Sequence, residues 1–192
     1  SANAFTTGGM TYTAGDSSST GDDLTINNSS TVSDSTGSLT FNAGDDVEFE
    51  AGTNVTANAG GQTVTINVDQ ATDPDGGMGS TVDLLGTITT DSGTTINGGA
   101  DSDTVNLSAQ LTTDFNIVGG APAFPTLPGD TLNIDVSSTT AVRELHISGL
   151  GSGFFTFGSG EGATFSQLET VNERSEEHTS ELQPQAHLVC LL

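Results

Sequence analysis

The strongest constraint this chain places on its own fold is a recurrence of very short runs in which apolar and polar residues alternate, each cut off by glycine, asparagine, aspartate or serine. Leu24-Thr-Ile26, Leu39-Thr-Phe41, Val47-Glu-Phe49, Val64-Thr-Ile66-Asn-Val68, Val82-Asp-Leu84, Val105-Asn-Leu107 and Leu132-Asn-Ile134-Asp-Val136 all follow the rule. A period of two puts every second side chain on one face of a strand, and β-branched residues suit that pleated, half-buried surface. No window of ten or more residues keeps the i, i+3, i+4, i+7 spacing of a helical stripe. The chain therefore reads as all-β.

Strand length decides between a sandwich and a solenoid. Sandwich strands usually have about 5 to 6 residues and carry aromatic anchors. Most of these runs are three to five residues long, with Tyr12 as the one tyrosine and no tryptophan. Loosely similar units recur at spacings of roughly 20 to 30 residues, beginning at Gly37, Gly61 and Gly93, inside the range of repeat architectures. A unit this small cannot bury its apolar face alone and must stack on its neighbours. The expected architecture is an irregular β-solenoid, a parallel β-helix-like stack of short strands, with rungs over residues 1–118. Residues 119–173 continue the β segment after a proline-rich loop at 121–128, with strands expected at 142–147, 154–157 and 164–171. Phe154, Phe155, Phe157 and Phe165 are expected to close the end of the core.

Charge removes several classes of function. The 192 residues hold 25 acidic side chains against 2 basic ones, Arg143 and Arg174, for a formal net charge of -23. Binding a phosphate backbone takes clustered Lys or Arg, so nucleic acid is excluded as a direct partner, and an anionic membrane surface is disfavoured for the same reason. The absence of lysine removes Schiff-base chemistry and a Walker phosphate loop. No apolar run approaches the roughly 18 to 20 residues that span a bilayer, so membrane insertion is not expected.

Beyond Glu173 the composition changes abruptly. All 25 glycines lie before Arg174, whereas residues 174–192 hold Cys190, His178 and His187. The run Arg174-Ser-Glu-Glu-His-Thr-Ser-Glu-Leu-Gln183 resembles the translation of a common sequencing adapter. That resemblance implies that 174–192 is a non-native tail, unstructured or forming an adventitious helix, and the fold is read without it.

Three segments, Gly98 to Leu107, Pro128 to Asp135 and Ala163 to Asn172, resemble parts of large, acidic bacterial surface or secreted repeat proteins that contain β-solenoid arrays and RTX-like, hemolysin-type repeats. The resemblance implies a fragment of a longer extracellular or cell-surface protein with a structural or adhesive role. Its partners would be neighbouring repeats, surface glycans or other extracellular proteins, and no catalytic residue is implied.

Calcium is the one cofactor the residues suggest. Gly98-Gly99-Ala-Asp101-Ser-Asp103-Thr-Val105 matches the calcium-binding nonapeptide G-G-x-G-x-D-x-U-x at its leading glycines, its aspartate and its apolar position, with Asp101 in place of the third glycine. One degenerate copy cannot complete a site unless a second acidic turn lies in register beside it, and Gly44-Asp45-Asp46-Val47 and Gly21-Asp22-Asp23-Leu24 are the candidates. Asp101, Asp103, Asp45 and Asp46 are thus the candidate metal ligands of a calcium-dependent RTX-like module, against the simpler reading of plain acidic turns. Asp73-Pro-Asp75-Gly-Gly77 begins like an EF-hand loop, but Leu84 stands where the bidentate glutamate belongs, and it reads as a turn. A carbohydrate-active β-helix is a third reading; Arg143 and His146, three apart on a strand, would face opposite sides and make a poor catalytic pair. Thr-x-Thr triplets at Thr11, Thr63 and Thr87 could form a flat hydroxyl ladder, but their irregular period favours ordinary strand surface.

Overall fold

A computed structural model describes residues 3–5, 8–15, 17, 21–69, 79–108, 112–121, 129–137, 143–157, 161–174 and 187–189. Every element in it is a β-strand. The chain opens with β1 (Asn3–Phe5), β2 (Met10–Thr13) and β3 (Leu24–Ile26). The triplet returns as β4 (Thr31–Asp34), β5 (Leu39–Asn42) and β6 (Val47–Phe49), then as β7 (Asn54–Ala57), β8 (Val64–Asn67) and β9 (Thr81–Leu84), and as β10 (Thr87–Thr90), β11 (Thr94–Gly99) and β12 (Thr104–Ser108). There follow β13 (Phe115–Gly120), β14 (Thr131–Asp135), β15 (Arg143–Gly149), β16 (Ser152–Phe157), β17 (Gly162–Ser166), β18 (Thr170–Arg174) and β19 (His187–Val189).

Equivalent strands of successive rungs lie side by side in three sheets: sheet A in the order β1-β4-β7-β10, sheet B from β2 through β5, β8, β11, β13, β17 and β16 to β15, and sheet C from β3 through β6, β9, β12, β14 and β18 to β19. Rung-to-rung pairings are parallel, so the architecture is the expected solenoid-like stack. Sheet A stops at β10, and beside it Thr112 Oγ1 donates to the Ile88 carbonyl at 2.8 Å without forming a further strand. The parallel order ends where β16 turns back along β17 and β15 along β16, both antiparallel.

Register fills the core in columns. On sheet B, Tyr12, Phe41, Ile66, Ile96, Ile117 and Phe165 are aligned and face inward. On sheet C, Ile26, Phe49, Leu84, Leu107 and Ile134 do the same, and the column ends at Glu173. Tyr12 stacks on Phe41 at 5.2 Å between ring centroids, and Phe41 meets Phe49 edge-on at 5.0 Å. Polar columns run along the outside. Asn97 donates its amide to Asn67 Oδ1 at 2.7 Å and Asn67 to Asn42 at 2.8 Å. On sheet C, Asn172 donates to Asn133 at 2.9 Å and Asn133 to Asn106 at 2.7 Å. Identical amides one rung apart, about 4.8 Å in a sheet, are spaced to bond in series.

Three sequence expectations meet corrections. The single strand expected over 164–171 is two, β17 and β18, because Gln167 adopts φ 58 and turns a corner between them. Phe155, Phe157 and Phe165 are buried as expected, but Phe154 points out of sheet B and is 37% exposed. The strands of sheet A were not foreseen. Within the tail, His187–Val189 is a strand paired antiparallel with β18, not the unstructured or helical segment expected, since β18 otherwise offers a row of unpaired backbone groups. The proline-rich loop at 122–128, the EF-hand-like turn at 73–77 and most of the tail lie outside the described residues.

Candidate functional site: an acidic corner

The acidic residues singled out in the sequence fall at one corner of the solenoid, where the chain leaves sheet B and enters sheet C. Following the register back from sheet C aligns Asp22, Asp45, Ser80, Asp103, Asp130 and Glu169 in one column, one residue per rung. At this corner the backbone N–H groups run along the solenoid axis and need acceptors. The carboxylates supply them. Asp45 Oδ2 accepts the Asp22 N–H at 2.9 Å, Asp103 Oδ1 the Ser80 N–H at 2.7 Å, Asp130 Oδ1 the Asp103 N–H at 2.9 Å, and Glu169 Oε2 the Asp130 N–H at 2.7 Å. Each side chain thus fastens its rung to the one before. Asp46, just outside this column, reaches the other way, its Oδ1 accepting the Thr81 N–H at 2.7 Å.

Towards the later rungs the column goes underground. Asp103 is 2% exposed, Asp130 1% and Glu169 7%. Asp103 Oδ2, Asp130 Oδ2 and Glu169 Oε1 are buried and have no hydrogen-bond partner. Burial, reinforced by Asp130, Asp69 and Asp101 nearby, pushes the Asp103 carboxyl up to about 8, against the bond from Ser80 that favours its ionised form. Burial likewise lifts Asp130 to about 6, with Glu169 adding repulsion. Asp46 is raised by desolvation and by the charges of Asp23, Asp45 and Asp83. At neutral pH the inner column therefore holds carboxylic acid as well as carboxylate.

The structure brings only part of the expected metal set together. Asp101, half-buried at φ 57, shares its corner with Asp103. Asp45 and Asp46 lie two rungs away, with Ser80 in the rung between. Among the described residues, no group of three or more His, Cys, Asp or Glu side chains is placed to hold a metal ion. The paired glycines of the turn have a steric role of their own. A Cβ at Gly98 would lie 2.0 Å from the Gly119 carbonyl oxygen and 2.5 Å from Asp103 Oδ2, so only glycine lets the carboxyl tuck against the backbone.

Asp130 and Glu169 belong to the column and were missed. The signal was present: Asp103-Thr-Val-Asn, Asp130-Thr-Leu-Asn and Glu169-Thr-Val-Asn are one motif, an acid before a threonine, an apolar residue and the ladder asparagine. His146 Nε2 lies 3.1 Å from Glu144 on an exposed strand and stacks on Phe154 at 4.5 Å. Compared with known protein families, with curated proteins and with solved structures, the chain matches none.

Proposed function

We propose that the chain is a non-enzymatic structural or adhesive scaffold, a stretch of β-solenoid from a bacterial extracellular or cell-surface protein. The observation that supports this reading is the continuity of the stack. Three kinds of column, apolar inside, amide outside and carboxyl at one corner, each bind rung to rung, so load along the axis is shared over backbone and side-chain bonds together. Pulling a single molecule through its two ends tests it. Rungs released in succession would give repeated force peaks, each freeing on the order of 90 Å for a rung of roughly 25 residues. Smooth extension at low force would contradict a load-bearing role.

The buried, unpartnered oxygens of Asp103, Asp130 and Glu169 favour a second reading, a calcium-dependent RTX-like module. The donors are of the right chemistry, since Ca²⁺ takes anionic and carbonyl oxygens. Thermal unfolding in millimolar CaCl2 and MgCl2 at matched ionic strength separates the readings. Equal shifts mean screening of an acidic surface. A calcium-specific gain abolished by Asp103→Ala would promote the module over the inert scaffold.

A further inference from the structure

The outer face of sheet B carries one row of side chains that changes character along the solenoid. Register aligns Thr11, Thr40, Thr65, Thr95, Asn116, Thr164, Phe154 and His146, one per strand. Of the Thr-x-Thr triplets only Thr11 and Thr65 join this row, since Thr13 aligns with Asn42 and Asn67 and Thr87–Thr90 lies in sheet A, so no triplet ladder forms. The row stays in register because the extra residues sit in the connections between strands, Ala43–Asp46 joining β5 to β6 and Val68–Ser80 joining β8 to β9. At its far end the row ceases to be plain strand surface. Phe154 is one of four large apolar side chains left exposed among the described residues, and its ring lies flat on the His146 imidazole at 4.5 Å and 11°. Beside this pair is a groove of about 390 Å³, walled by Thr95, Asn116, Thr164 and Thr156 and closed at one side by Asp114 and Glu161. Asp114 Oδ1 accepts the Gly162 N–H at 2.8 Å, which fixes that wall.

We propose that this groove binds a neutral, extended oligosaccharide laid along the solenoid axis. The inference deepens the adhesive half of the reading above by naming its ligand class. The partly exposed Phe154 ring, one face of which is covered by His146, lines the groove beside hydroxyl, amide and carboxylate groups, which gives a sugar ring apolar surface for its C–H groups and donors and acceptors for its hydroxyls. The spacing fits as well. Successive side chains of the row are about 4.8 Å apart, close to the length of one ring in an extended β-1,4-linked chain, so one ring can sit on Phe154 while the next rings meet Thr164 and Asn116. Net charge of -23 disfavours acidic polysaccharides. A peptide strand would seek unpaired backbone groups at a sheet edge, and this groove lies on a face.

Calorimetric titration of the full chain with cellohexaose tests the proposal, with curved maltohexaose and a lysine-rich peptide as comparison arms. Cellohexaose should bind more tightly than maltohexaose, and Phe154→Ala and Asn116→Ala should each weaken it about tenfold, while Thr104→Ala on sheet C leaves it unchanged. Because Phe154 and Asn116 are exposed, far-ultraviolet circular dichroism should show both variants folded. The proposal is overturned by no heat with cellohexaose at millimolar concentration, by binding insensitive to Phe154→Ala, or by salt-sensitive binding of the peptide alone. Failure here leaves the force peaks of the scaffold reading unaffected, and smooth extension leaves the groove unaffected.

Discussion

Replacing Asp103 by asparagine should remove one proton-linked part of the fall in stability with rising pH. The carboxyl moves from an ordinary value of 3.8 to about 8 on folding. The folded state therefore keeps a proton that the unfolded chain releases above pH 4. Its contribution is whole below pH 4, declines as pH rises by about 1.4 kcal/mol per unit, and levels off beyond pH 8. The full interval sets a ceiling near 6 kcal/mol; water access and proton sharing with Asp130 lower the expected loss to about 2–3 kcal/mol. Asp103→Asn keeps an oxygen for the Ser80 N–H but buries an amide N–H₂ against Gly98, at a cost of about 1 kcal/mol or more. The variant should be less stable than the parent at pH 4 and more stable at pH 8.5. Urea unfolding at pH 4, 6 and 8.5 measures both curves, and the crossing should also appear as a change of sign in the midpoint difference, about 2–4 °C per kcal/mol for a chain of this size. A difference that stays constant across this range would refute the buried-acid account of the corner.

Asn67→Ala removes the middle of the sheet B amide ladder and both its bonds, and should lower stability by about 1–2 kcal/mol in the same assay. Gly98→Ala should cost several times more or prevent folding, while Gly15→Ala, whose Cβ would meet nothing within 4 Å, should be nearly neutral in thermal unfolding. Among the described contacts, a chain ending at Glu173 loses the short pairing of β19 with β18 and those of Arg174, which pairs with Asp135 and whose carbonyl accepts the Val136 N–H at 2.9 Å. Its unfolding midpoint should stay within about 2 °C of the parent.

The sheet B and sheet C strands were legible because their inward residues are large and β-branched or aromatic, as in Val64-Thr-Ile66 and Leu132-Asn-Ile134. Sheet A was not, because β4, β7 and β10 place Asp34, Ala57 and Thr90 at positions where a strong strand signal would have an apolar side chain. The corner carboxylates were half legible. Asp103 drew attention through its glycines, yet the glycines answer to close backbone packing as much as to any ion. Asp130 and Glu169 align with Asp103 only once the unequal connections are set aside, and a fixed sequence period cannot do that. Phe154 was assigned to the core from its neighbours; strand alternation around Phe155 alone would have turned it outward.

The in-register stack is tested most directly by cross-linking between rungs. With Cys190 changed to serine, cysteines at Thr40 and Thr65, partners in adjacent strands, should oxidise readily, since neighbouring strands bring Cα atoms about 4.8 Å apart and a disulfide spans about 4.4–6.8 Å. Cysteines at Thr40 and Thr95, separated by β8, should stay reduced under the same conditions. A disulfide between 40 and 95, or none between 40 and 65 in a folded chain, would contradict the solenoid register on which the rest of the account depends.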